Sequence, residues 1–216
     1  MDTPRLLQTA GPADIERQSF AIIDSLVPEP RPFEGAQWEV ARRLVHTSAD
    51  FELLSLLRFS PGAVRAGVAA LRSGATVVTD TRMCQVGIPG RRLDSLGSRS
   101  VCYMDDPDLA VRAREQGVTR ARLAVDEAAR LSGPVVFAVG NAPTALLRLM
   151  ELMDVGRIAP ELVVGMPVGF VNAAESKALL MERSDAPWIA IEGRKGGSAL
   201  AAACVNALAE MALRAG

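Results

Sequence analysis

Histidine is nearly absent: the 216 residues contain one, His46. A metal centre built on several imidazoles is therefore excluded. The cysteines are few. Cys84, Cys102 and Cys204 stand far apart with no CxxC pair, which removes the usual zinc and redox spacings and reads as inert thiols in a reducing compartment. Charge of one sign is lacking too. The formal net charge is −1, so no electrostatic footprint points to nucleic acid or an anionic membrane. No long hydrophobic run is present; stretches such as 134–139 and 162–165 are far too short to span a bilayer. The N-terminus lacks a basic segment followed by an apolar run, so a cytoplasmic protein is expected. Also missing are a GxSxG nucleophile elbow, the GxxxxGK[ST] phosphate loop, and a GxGxxG turn with a downstream acidic residue. Hydrolase and dinucleotide chemistry lose their usual support.

What remains is ordinary in bulk, with 49% apolar and 23% charged residues. The length suits one large domain. Residues 1–13, with Pro4, Gly11 and Pro12, read as a loose leader, and 14–216 as a single domain. Asp14 is a candidate N-cap for a helix carrying Ile15, Phe20, Ile22, Ile23 and Leu26. A second helix, 34–46, places Trp38, Ala41, Leu44 and Val45 at helical spacing. A short one is expected over 51–57, and another over 62–73, closed by Gly74.

From there short apolar runs alternate with helical stretches. Strands are expected at 75–79, 101–104, 135–139, 162–166 and 188–191. Helices are expected at 108–131 with a break near Gly117, then at 142–153, 173–183 and 198–214. Such alternation implies βαβ units and an α/β fold, a mostly parallel sheet with helices on both faces. The unusual residues fall at the strand ends: Asp80, then Gly140 and Asn141, then Pro167, Val168 and Gly169, then the run Gly-Arg-Lys-Gly-Gly-Ser at 193–198. Open α/β sheets bind ligands outside the carboxyl ends of their strands, so this rim is the expected site.

The 193–198 run suits an anion, since a glycine-rich turn entering a helix exposes backbone N–H groups beside Arg194 and Lys195. It also suits a tight turn that merely needs glycine. The turn at 140–144, Gly-Asn-Ala-Pro-Thr, is either a second anion-friendly helix start or a plain strand-to-helix corner. Thr119 and Arg120 fit a helix cap with a local ion pair, Asp50 and Glu52 fit a helix start, and Glu175 and Lys177 fit solvated first-turn residues. His46 alone is ambiguous, because a single histidine is more often a surface residue than a catalyst. A helix C-terminus favours a cation there, while Arg43, three residues earlier on the same face, opposes one.

Taken in order, several segments resemble the precorrin-8X methylmutase family. They are Ser-Phe-Ala-Ile-Ile at 19–23, His-Thr-Ser-Ala-Asp-Phe at 46–51, Thr-Asp-Thr-Arg-Met at 79–83 and Gly-Ile at 87–88. Further along come Gly-Val-Thr-Arg at 117–120, the motif at 140–146, Gly-Met-Pro-Val-Gly-Phe-Val at 165–171, Ala-Ala-Glu-Ser-Lys at 173–177, and 193–198. The resemblance implies migration of a methyl group from C-11 to C-12 of a corrinoid macrocycle, with no cofactor and no protein-bound metal. It also implies a homodimer with the site near its interface. The general acid/base of the family falls on His46. The implied substrate contacts are Ser19, Arg43, Asp80, Met83, Thr119, Arg120, Asn141, Thr144, Arg194, Gly196, Gly197 and Ser198, with Val168 and Phe170 beneath the ring. The segments at 46–51, 79–83 and 194–196 look closer to the branch acting on the cobalt-bearing ring. A non-catalytic corrinoid carrier and a phosphate-binding α/β module are the competing readings.

Overall fold

The computed structural model describes residues 11–214; residues 1–10 of the expected leader lie outside them. Helix α1 (Pro12–Leu26) starts earlier than Asp14. Pro12 is the reason: its fixed φ and missing N–H suit the first helical turn, with Gly11 as N-cap. Helix α2 (Gly35–Ser48) buries Trp38, Val40, Ala41, Leu44 and Val45 on one stripe and stops at Ala49, which takes a left-handed conformation. Helix α3 (Leu53–Leu56), within the helix expected over 51–57, runs directly into β1 (Leu57–Phe59), a strand that was not expected. Three residues are too few for a period to show.

The chain then alternates through α4 (Ala63–Arg72), β2 (Thr76–Thr79), α5 (Arg82–Val86), α6 (Gly90–Asp94) and β3 (Arg99–Val101). It continues through α7 (Pro107–Glu115), α8 (Arg120–Ala128), β4 (Val135–Val139), α9 (Pro143–Asp154), β5 (Leu162–Gly165), α10 (Ala173–Met181), β6 (Trp188–Ile191) and α11 (Ser198–Arg214). The expected strand at 101–104 is displaced to Arg99–Val101, because only those residues find a partner on β2.

Six strands form one sheet in the order β1-β6-β5-β4-β2-β3. All neighbours are parallel except β1, which pairs antiparallel with β6. Successive strand residues face opposite layers. Val136, Ala138 and Val164 pack with α2, α4 and α11; Phe137, Val139 and Val163 pack with α8, α9 and α10. Burial on both faces explains why the strands read as continuous apolar runs. After β2 the chain crosses to β3 on one side, and after β4 it crosses to β5 on the other. The topological switch point therefore lies between the ends of β2 and β4, where Asp80 and Gly140 stand.

Candidate active site

His46 occupies the last turn of α2, which ends beside the first turns of α11. A cavity of about 450 Å³ opens on one side of it, walled by Arg43, Thr47, Gly87, Ala199, Ala203 and Asn206. On the other side a shallower groove of about 220 Å³ is lined by Ser19, Ile22, Ile23, Leu26 and Phe51. The half-buried imidazole meets the edge of Phe20, with centroids 5.2 Å apart at 70°. Among the described residues it makes no hydrogen bond, so its ring nitrogens are available to a ligand.

Arg43 shares the cavity wall and also ties the helices together. Its guanidinium is buried and bridges helices, reaching Glu16 of α1 at 2.7 Å and Glu210 of α11, and it lies over the Phe20 ring. Truncating either carboxylate would leave the buried guanidinium with one partner in place of two. Arg43 is thus an anchor joining α1, α2 and α11 behind His46, and both of its terminal nitrogens are already engaged.

Asp80 holds a turn. Its carboxylate accepts the backbone N–H groups of Gly140, Asn141 and Ala142 at 2.9, 2.7 and 2.6 Å. The anion-friendly start of α9 is therefore filled by the protein itself. Burial raises the Asp80 carboxyl above the usual range, and the three donors work against that rise. Gly140 fits because any side chain there would meet the Ser198 backbone, with a Cβ placed 2.6 Å from its Cα.

The β6–α11 loop bears out the need for glycine. It needs its glycines: a Cβ on Gly196 would stand 2.2 Å from the Met166 carbonyl oxygen, and Gly197 has φ +138°. It also presents cations unequally. Arg194 is exposed and makes no ion pair among the described residues, resting 6.0 Å from the Phe170 ring. Lys195 is engaged by Asp50 and Glu52, at 2.6 and 2.7 Å. Ser198 is buried, and its hydroxyl shares a hydrogen bond with Thr81 at 2.7 Å, pinning α11 to the turn after β2.

On the opposite layer Thr119 caps α8 by accepting the Arg122 N–H, and its hydroxyl meets that of Thr144 at 2.8 Å. Arg120 and Asn141 are exposed beside them. Lys177 corrects the expectation of a solvated residue. It is fully buried, and its ammonium donates to the Lys195 carbonyl at 2.6 Å. Burial pushes the Cys84 and Cys204 thiols upward, consistent with inert cysteines. Among the described residues no cluster of His, Cys, Asp and Glu could hold a metal ion, and no helix is long and apolar enough to cross a membrane.

The precorrin-8X methylmutase family model matches residues 14–211. The chain belongs to the precorrin-8X methylmutase family. It is 42% identical over 204 residues to the cobalt-precorrin-8 methylmutase of Priestia megaterium, covering 94% of this chain and 90% of that one. It is 44% identical over 200 residues to the precorrin-8X methylmutase of Pseudomonas aeruginosa, covering 90% and 93%. Its fold matches the crystal structure of precorrin-8x methyl mutase from Thermus thermophilus with a TM-score of 0.83 at 43% identity, covering 94% of this chain and 98% of that one.

Of the family residues expected at the site, the structure brings Ser19, Arg43 and His46 together around α1 and α2. Gly196, Gly197 and Ser198 lead into the first turn of α11, whose Ala199 lines the His46 cavity. Thr119, Arg120, Asn141 and Thr144 cluster separately at the starts of α8 and α9. Met83, on α5, is 69% exposed. Phe20 and Gly87 stood in the quoted motifs without being read as site residues, and Asn206 escaped altogether. Asn206 had a signal, being a lone amide in an alanine-rich apolar helix; its Nδ2 donates to the Gly87 carbonyl at 2.8 Å and closes the cavity. Gly87 has no side chain because a Cβ would meet that of Ala202 at 2.9 Å.

Proposed function

We propose that the protein moves the C-11 methyl group of precorrin-8X, or of its cobalt-bearing form, to C-12, with His46 as general acid/base. The observation that carries the assignment of His46 is its setting. It is the chain's one histidine, it lies between a polar cavity and an apolar groove, and its nitrogens have no partner among the described residues.

The chemistry asks little of the protein beyond position and a proton. Protonating the conjugated ring makes its π-system electron-poor and eases a 1,5 methyl shift. A placed general acid contributes about 10²–10⁴-fold, and tighter binding of the product-like ring shape supplies the remainder. The apolar groove on α1, with Val168 and Phe170 exposed at the rim, offers contact to a macrocycle face. Arg194 and Arg120, exposed and outside any ion pair among the described residues, suit the peripheral carboxylates. Cobalt, when present, arrives with the substrate. The separation of the His46 cavity from the Arg120 cluster favours a site completed by a second copy, in line with a homodimer.

Purified protein given precorrin-8X or cobalt-precorrin-8 should convert the substrate's visible spectrum to that of the corrin. His46→Ala should lose about 10²–10⁴-fold in turnover and keep ring binding. Full activity in that variant would remove His46 from the mechanism, and binding without turnover in the wild type would favour a carrier.

A further inference from the structure

The loop at 193–197 has almost no side-chain packing of its own. Gly193 and Gly197 take φ values of +76° and +138°, and Gly196 presses directly on the Met166 and Pro167 carbonyl oxygens. Its position is set by polar contacts. The Gly197 N–H donates to the Met166 oxygen at 2.9 Å, and the Arg194 oxygen accepts from the Gly169 N–H at 3.2 Å. Lys195 is held at both ends. Its carbonyl receives the buried Lys177 ammonium at 2.6 Å, and its own ammonium reaches Asp50 and Glu52 at 2.6 and 2.7 Å.

The two carboxylates lie just beyond His46, past the left-handed Ala49. Their turn is already shaped, since Asp50 Oδ1 accepts the Glu52 N–H at 3.0 Å. A cation between two carboxylates is poorly suited to a third, whereas the neighbouring Arg194 is unpaired among the described residues. Each partner reinforces the other's charge: the Asp50 hydrogen bond raises the Lys195 ammonium, and the Lys195 hydrogen bond lowers the Asp50 carboxyl.

We propose that Lys195 is a positioning residue, clamping the 193–197 loop to the end of the His46 helix so that Arg194 faces the carboxylates of the ring. This rests on the corrinoid reading given above. Exposed ion pairs contribute little to global stability, so the effect should appear in loop mobility and ligand binding and leave the unfolding midpoint almost unchanged.

Two variants test it, Lys195→Met and the pair Asp50→Asn with Glu52→Gln. In the protein without ligand, amide hydrogen exchange should accelerate in both variants over 49–53 and 193–197 and stay as in wild type elsewhere. Unchanged exchange in those two segments would overturn the clamp, whatever the protein binds. Titration with hydrogenobyrinic acid should then give a Kd raised about tenfold in each variant, with the combined variant no worse than either, as expected for groups acting as one unit. If Lys195 instead gripped a ring carboxylate directly, Lys195→Met would weaken binding. Removing the two acidic charges would then tighten the anionic ligand, and that opposite sign overturns the proposal. Failure of the wild type to bind the ring would strike the corrinoid reading alone, because the exchange comparison still decides the clamp.

Discussion

Replacing Asp80 by alanine leaves three N–H groups in the β4–α9 turn without their acceptor. The expected cost is roughly 2–5 kcal/mol of global stability, read from urea unfolding. Asp80→Asn keeps an acceptor oxygen and should lose less; equal midpoints for Asp80→Ala and wild type would reject the role. Lys177 predicts a pH dependence. Burial pushes its ammonium down to about 8, below the ordinary 10.5. Between those values the unfolded chain holds a proton that the folded chain has released, so stability rises with pH across that window. Lys177→Met should flatten the rise relative to wild type, and parallel stability curves would contradict it. Both residues show the limit of reading side chains in sequence. Asp80 was visible as a charge at a strand end and Lys177 as one in a first helical turn, but a charge that faces inward toward backbone groups looks the same in sequence as one that faces a ligand or solvent. His46, by contrast, gained its reading from being without rival.

At the scale of elements, the parallel core was legible because strands buried on both sides are uninterrupted apolar runs. Strand β6 and helix α11 fall where the periodicity placed them. The pieces that escaped were the short ones. Strand β1 has three residues and follows a helix of four, while α5 and α6 have five each. No period can declare itself over one turn, and pairing partners far along the chain decide such segments. Tight inter-element contacts were also hidden. Gly67 lets α4 approach β5 and α11, for a Cβ there would lie 2.7 Å from Leu162 Cδ2 and 2.9 Å from Leu208 Cδ1. Gly67→Ala should therefore cost about 1–3 kcal/mol through overpacking, despite the gain in helix propensity. A stabilised variant in thermal unfolding would show that the two leucines can move aside.

On the scale of the whole molecule, α1 carries an outward apolar line of Ile15, Ile22 and Leu26, between 51% and 60% exposed. Such a band supports the proposed homodimer. Ile22→Glu combined with Leu26→Glu should shift the protein toward monomer in sedimentation equilibrium, and an unaltered mass would place the interface elsewhere. The crevice at the sheet's switch point has a different consequence. Because the Asp80 carboxylate already fills the β4–α9 turn, the turn has no empty anion pocket to collapse. That sector of the rim is shaped by the protein's own carboxylate, so an arriving ligand need not supply the ordering free energy that a loop shaped only by contact with its substrate would demand.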